Sequence, residues 1–181
     1  MSLVRSLLLG IGVALMLSSP ADAAELKVGD KAPEFEMKGS DGKTYKLSQF
    51  KDKQAVVVAW FPKAFTGGCT KECKSLRANG KVLREFNVAY FTASCDPVEK
   101  NTDFAKSLEL DYPILSDPDT KVAKAYGILN DRGFSSRVTF IVGKDGKILH
   151  IETKVKTDDH AKQISDELAK LKIEKAPKKK D

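Results

Sequence analysis

No stretch of this chain is apolar for long enough to cross a bilayer as a helix: the longest such run, Leu7 to Leu17, has 11 residues, against the ~20 that a spanning helix needs. Histidine is almost missing. Only His150 and His160 occur in 181 residues, and their spacing suggests no ligand pair, so neither a metal nor another cofactor is expected. Aromatic side chains are absent from the lysine-rich end, where residues 172–181 carry five lysines against Glu174 and Asp181. A basic segment without interleaved aromatics argues against nucleic acid as a partner. That end supplies +3 of the formal net charge of +6, and Lys178-Lys179-Lys180 after Pro177 reads as a solvated terminus. No internal repeat is visible, and no second break in composition divides the chain.

The first two dozen residues have the layout of an export signal. Arg5 gives a short basic start, the apolar run follows, and Ser18-Ser19-Pro20 leads into Ala21-Asp22-Ala23, with small residues at both positions a signal peptidase reads. Residues 1–23 are therefore expected to be removed, leaving a periplasmic or extracellular chain that starts at Ala24; an uncleaved membrane anchor is the alternative. After cleavage no stable membrane insertion is expected. The rest suits one domain with a real core, 24–171, followed by a basic tail, 172–181. All three cysteines lie in this part, and an odd count in an exported chain leaves at least one thiol outside any intramolecular disulfide.

Apolar and polar residues alternate from Phe35 to Leu47 around Gly39-Ser40-Asp41-Gly42, the pattern of a hairpin. Gln54 to Phe61 is an almost unbroken apolar run, as in a strand buried on both faces, and Pro62 stops it. Leu76, Val82, Leu83 and Phe86 then fall at helical spacing, which predicts a helix over about Thr70 to Phe86 with an irregularity near Gly80. Asn87 to Cys95 reads as a second buried strand. Asp96 as an N-cap and Pro97 at the first helical position open a helix whose inner face is Phe104, Ala105 and Leu108. Pro113-Ile114-Leu115 is a short strand, and Asp117-Pro118 starts a helix that Gly127 closes. A strand from Arg137 to Val142, a turn at 144–147, a returning strand from Ile148 to Val155 and a helix over about Asp158 to Leu171 complete the pattern. This order predicts an α/β fold, a thioredoxin-like three-layer sandwich with an N-terminal β-hairpin.

Ligands of open α/β sheets sit beyond the carboxyl end of a strand, where the next helix begins, and Cys69 falls at such a place. A thiolate there gains from the positive end of the helix dipole and from the free N–H groups of the first turn. Gly67 and Gly68 let the backbone come close to a small reactant. An isolated cysteine would read as a buried structural thiol; position and flanking residues argue for a reactive one.

The segment Pro62-Lys63-Ala64-Phe65-Thr66-Gly67-Gly68-Cys69-Thr70-Lys71-Glu72 resembles the signature of the peroxiredoxins (AhpC/TSA superfamily), and within them the bacterioferritin-comigratory or Q-type subgroup. The likeness runs from about Val28 through the last helix, and Arg137 matches the arginine that the family places beside its nucleophile. It implies a thiol-dependent peroxidase that reduces hydrogen peroxide or organic hydroperoxides through a sulfenic acid on Cys69. Thr66 would then hydrogen-bond the peroxide and the sulfur, Arg137 would stabilise the thiolate and the developing oxygen charge, and Pro62 would shield the pocket. Glu72 belongs to the same pattern, or is an acid favoured in a first helical turn. The resemblance also implies a thiol reductant such as a thioredoxin-like protein, and a monomer or homodimer. Displacement at an O–O bond asks for these residue types: a thiolate, an aligned donor and a positive charge that cannot be deprotonated, which favours Arg over Lys.

Cys73 departs from the family pattern. Subgroup members with a resolving cysteine on this helix carry it one position further on, where this chain has Lys74. Residues four apart on a helix have Cβ atoms ~5–6 Å apart, and a disulfide wants ~3.5–4.5 Å, so a Cys69–Cys73 bond needs the first turn to unwind. Cys73 is either that resolving partner or a helix-face thiol of no redox role. Cys95 reads as a buried spectator, and Trp60 as core.

Two other readings compete. Cys69 and Cys73 also form the C-x3-C of Sco-type copper chaperones, whose soft thiolates would suit Cu(I). Those proteins place a histidine before the strand at Arg137 to Val142, where this chain has Ser135, Ser136 and Arg137, and an arginine would repel the metal. A cell-envelope thiol-disulfide oxidoreductase expects C-x2-C after the tryptophan-bearing strand, one residue shorter than the spacing here.

Overall fold

The computed structural model describes residues 25–177; the predicted signal over 1–23 and Lys178-Lys179-Lys180 lie outside them. The hairpin is β1 (Glu36–Gly39) against β2 (Thr44–Lys46), antiparallel. The valine-rich run is β3 (Ala55–Trp60), buried along its whole length, as β-branched residues on a sheet covered on both sides should be. Helix α1 (Gly67–Arg84) follows, then β4 (Val88–Ser94), α2 (Val98–Ser107), β5 (Ile114–Ser116), α3 (Lys121–Ala125), β6 (Val138–Val142), β7 (Ile148–Glu152) and α4 (His160–Lys170).

The seven strands form one sheet in the order β2-β1-β5-β4-β3-β6-β7. β3, β4 and β5 run parallel, and the other pairings are antiparallel. Strand alternation sends Val57, Ala59 and Ile141 to one face, where Leu76 and Leu83 of α1 and Ile164 and Leu168 of α4 cover them. Val56, Val58, Trp60 and Phe140 point to the other face, against Phe35, Phe50, Tyr126 and Ala123. The expected three-layer α/β sandwich with an N-terminal hairpin is what forms, and Trp60 is fully buried core.

Several boundaries differ from the sequence expectation. α1 begins at Gly67, not Thr70, and runs through Gly80 without a break. A Cβ at Gly80 would sit 2.8 Å from the Tyr90 hydroxyl, so this glycine serves the close approach of α1 to β4. Pro97, not Asp96, is the N-cap of α2; the Asp96 carboxylate is turned away to accept the Ala64 N–H at 2.7 Å. Asp117-Pro118 is a turn ahead of α3, with Asp117 accepting the Ala123 N–H at 2.8 Å. The basic tail does not begin at 172. Asn87 N–H donates to the Glu174 carbonyl at 2.7 Å, Ala176 N–H donates to the Glu85 carbonyl at 2.9 Å, and Ile173 packs on the α1–α4 cluster. An apolar residue with backbone partners on both sides docks this segment, which charge counting alone reads as solvated.

Candidate active site

Phe61 and Pro62 leave the carboxyl end of β3, and from Gly67 the chain is helical. Thr66 is the N-cap of α1 with extended backbone, φ −105° and ψ 153°, and its hydroxyl donates to the Lys63 carbonyl at 2.9 Å. The first intrahelical bond runs from Thr70 N–H to the Thr66 carbonyl at 2.8 Å. The N–H groups of Gly67, Gly68 and Cys69 therefore precede the ladder, at the positive end of the helix. Cys69 is in that first turn and is only 1 % exposed.

β6 runs antiparallel beside β3, with Val138 opposite Trp60, so Arg137 arrives where the Pro62–Gly68 loop departs. Its Nη2 donates to Cys69 Sγ at 3.2 Å. Its Nη1 pairs with Glu72 Oε2. Of the two glycines before the cysteine, Gly68 answers to this contact: a Cβ there would sit 3.3 Å from Arg137 Nη2, whereas at Gly67 it would meet open space. The loop itself is held at three points. Asp96 binds Ala64 N–H, the Ser135 hydroxyl donates to the Phe61 carbonyl at 2.8 Å, and Phe65 rests on Phe104 with ring centroids 4.9 Å apart. Phe65 does so with φ 64°, a conformation that costs a bulky residue on the order of 1–3 kcal/mol and persists only where the surroundings hold it. Pro62 is half-buried.

Glu72 is no first-turn acid. It lies in the second turn of α1 and is completely buried, with its charge taken up by Arg137. On its other side is His160, the first residue of α4, also completely buried, with Nδ1 3.0 Å from Glu72 Oε1. That approach is off the line of a well-formed hydrogen bond, and neither atom has another partner among the described residues. His160 Nε2 is 3.0 Å from Thr139 Oγ1. Burial, then the Arg137 charge, push the imidazolium down to about 4, with Glu152 opposing, so the ring is neutral at neutral pH. The spacing of His160 had offered no partner; only the packing of α4 on α1 provides one.

Cys73 is fully buried one turn along α1, in the same apolar cluster as Cys69, Phe61, Ala64 and Phe104. Burial pushes its thiol up to about 12, and the Tyr112 hydroxyl donates to its carbonyl at 2.9 Å. Cys95 directly follows β4 and is only half-buried, its thiol raised to about 11 by burial and by Asp117. A buried polar group that the sequence pattern did not single out backs the Asp96 carboxylate that holds the loop: Ser94 Oγ lies 3.1 Å from both Asp96 Oδ2 and Asn101 Oδ1, and Asn101 Nδ2 donates to Ser116 Oγ at 2.8 Å. The structure thus brings Cys69, Glu72, Cys73 and Arg137 together and adds His160, Thr139 and Asp96. Chemically the arrangement offers a buried sulfur beside a fixed positive charge, at a helix start.

Comparison with known proteins gives a consistent set of likenesses. Residues 28–151 match the AhpC/TSA family. Peroxiredoxin Bcp of Escherichia coli (strain K12) is 35% identical over 142 residues, spanning 75% of this chain and 90% of that protein. Peroxiredoxin Bcp of Bacillus subtilis (strain 168) is 32% identical over 142 residues with the same shares covered. Among solved structures, peroxidoxin BcpB from Mycobacterium tuberculosis aligns with a TM-score of 0.73 at 32% identity, over 82% of this chain and 97% of that one. A PrxQ from Xylella fastidiosa shares the fold, with a TM-score of 0.75 at 21% identity over 81% of this chain and 98% of that one.

Proposed function

The chain belongs to the AhpC/TSA family and is a peroxiredoxin, a thiol-dependent peroxidase, and from that premise we propose that Cys69 is the sulfur that attacks the hydroperoxide. The observation that carries this is the Arg137 guanidinium 3.2 Å from Cys69 Sγ at the first turn of α1. In the step proposed, the Cys69 thiolate forms a bond to the terminal oxygen, the O–O bond breaks, and the leaving oxygen departs with its electron pair to become water or an alcohol after protonation. Arg137 and the free N–H groups of the first turn favour the anionic sulfur before attack and the oxygen charge during it. Thr66 is the donor proposed for the peroxide, its hydroxyl turning from the Lys63 carbonyl to the substrate, and Pro62 is proposed to shield the sulfur. Glu72 holds the far side of the guanidinium.

Cys69 would thereby become a sulfenic acid. Cys73 is proposed to resolve it: its thiolate attacks the Cys69 sulfur, hydroxide leaves, and a disulfide forms that an external dithiol such as a thioredoxin-like protein reduces. The copper-chaperone and oxidoreductase readings are not favoured by the peroxiredoxin relatives, and a copper ion at the Cys69 sulfur would meet Arg137. Cys69→Ser in the full chain should abolish hydrogen peroxide consumption in a stopped-flow assay, while Cys95→Ser should leave it within about threefold of wild type, as a substitution off the site does. Substantial turnover by Cys69→Ser would show that another sulfur reacts.

Export is proposed on the Arg5, Leu7–Leu17 and Ala21-Asp22-Ala23 series. Mass spectrometry of the protein from its native cells should find Ala24 at the N-terminus; full-length chain recovered from the cytosol would refute it.

A further inference from the structure

The site as described leaves one buried, titratable group without a task. His160 opens α4, is fully buried, and stands with Nδ1 3.0 Å from Glu72 Oε1 and Nε2 3.0 Å from Thr139 Oγ1. Thr139 is two residues after Arg137, in β6, so the groups follow one another in a chain of contacts: Cys69, Arg137, Glu72, His160, Thr139. A buried carboxylate with a single partner would swing toward that partner and compete with the sulfur for its charge. His160 Nδ1, 3.0 Å from the opposite oxygen and, like it, without another partner among the described residues, would remove that freedom once its N–H turns onto the carboxylate.

We propose that His160 is a positioning residue that, as the Nδ1–H tautomer with Nε2 accepting the Thr139 hydroxyl, holds Glu72 and through it keeps the Arg137 guanidinium on the Cys69 sulfur. The inference rests on Cys69 being the attacking sulfur. The charged groups facing the ring are Glu72 from α1, Arg137 from the start of β6 and Glu152 from β7. The guanidinium and burial keep the ring neutral, the form in which one nitrogen donates and the other accepts. A protonated ring would donate from both nitrogens and would add a cation beside Arg137.

Two substitutions of similar size separate positioning from packing. The amide of Asn reaches the place of Nδ1 and keeps the contact to Glu72; the longer amide of Gln reaches the place of Nε2 and keeps only Thr139. His160→Gln should slow the reaction of reduced full-length protein with hydrogen peroxide about tenfold, the lower end of what removing an orienting partner costs, and should move the pH midpoint of that rate upward. His160→Asn should stay within about threefold of wild type, because the partner that matters is retained. Equal rates for the two variants, whether both slow or both fast, would overturn the proposal while leaving Cys69 as nucleophile, which Cys69→Ser tests separately. Nitrogen NMR of the imidazole in the wild-type protein gives an answer even where a variant does not fold: Nδ1 protonated and Nε2 bare supports the assignment, and the opposite tautomer refutes it.

Discussion

Arg137 carries more of the proposed chemistry than any other side chain except Cys69, because one guanidinium serves two anionic groups. Nη2 meets the sulfur and Nη1 meets Glu72. A hydrogen bond to a charged partner contributes about 1.5–3 kcal/mol, so Arg137→Ala should slow peroxide reduction by about one to two decades if the contact is felt in the transition state. Arg137→Lys should recover little of this, since a single ammonium cannot span both partners with fixed geometry. Stopped-flow traces of the reduced proteins decide it, and an Arg137→Ala rate within threefold of wild type, the scatter expected off the site, would remove Arg137 from the mechanism. At this scale the sequence was informative wherever the residues are neighbours along the chain. Pro62, Thr66 and Cys69 are legible as a local pattern, and Cys95 as apart from it, although Cys95 is less buried than its sequence suggested.

At the scale of elements, the first turns of α1 must both hold Cys69 for attack and release it for a disulfide. While the helix is intact, Cys73 is buried and its thiol stays protonated far above neutral pH, so it cannot attack a sulfenic acid until the turn unwinds and water reaches it. The Tyr112 hydroxyl bound to the Cys73 carbonyl fastens this turn to the loop before β5. A neutral hydrogen bond of this kind contributes about 1 kcal/mol, and its loss should raise the opened population about fivefold. Tyr112→Phe should therefore speed disulfide closure about fivefold at an unchanged rate of peroxide attack, read as the second and first phases of intrinsic fluorescence after mixing with peroxide. Faster attack, or closure no faster than wild type, would mean that Tyr112 does not restrain the turn. Helix limits decide this behaviour, and they are what the sequence placed least well: α1 starts three residues before the expected Thr70 because glycines with no side-chain signal form its first turn.

For the whole molecule, the buried neutral His160 ties stability to pH. In the fold its imidazolium is pushed down to about 4 from an ordinary 6.5, so between these values the unfolded chain takes up a proton that the folded chain refuses. Stability therefore falls as pH drops through that window and is unaffected by this group above it, with a loss of about 3 kcal/mol by its lower end. Urea unfolding midpoints measured from pH 7 to pH 4, the span of ordinary and shifted titration, should decline more steeply for the wild type than for His160→Asn. Parallel curves would show that another group carries the acid sensitivity.

Sequence by itself determined the layer order, the strand that aims the loop and the identity of the nucleophile candidate, because hydrophobic period, turn residues and a signature within eleven residues, Pro62 to Glu72, are all local. Arg137 and Glu72 were legible only through the family resemblance, and tertiary structure alone decided how they meet and added His160. Glu72, Arg137 and His160 come from α1, the start of β6 and the start of α4, and no periodicity links them. Their meeting depends on β6 lying beside β3 and on α4 packing across α1, and the same packing removes the water that would otherwise solvate each charge separately. It also docks Ile173 to Ala176 against the end of α1, where composition had predicted a free basic tail: backbone pairing and one partly buried isoleucine outweigh the solvation of a few lysines.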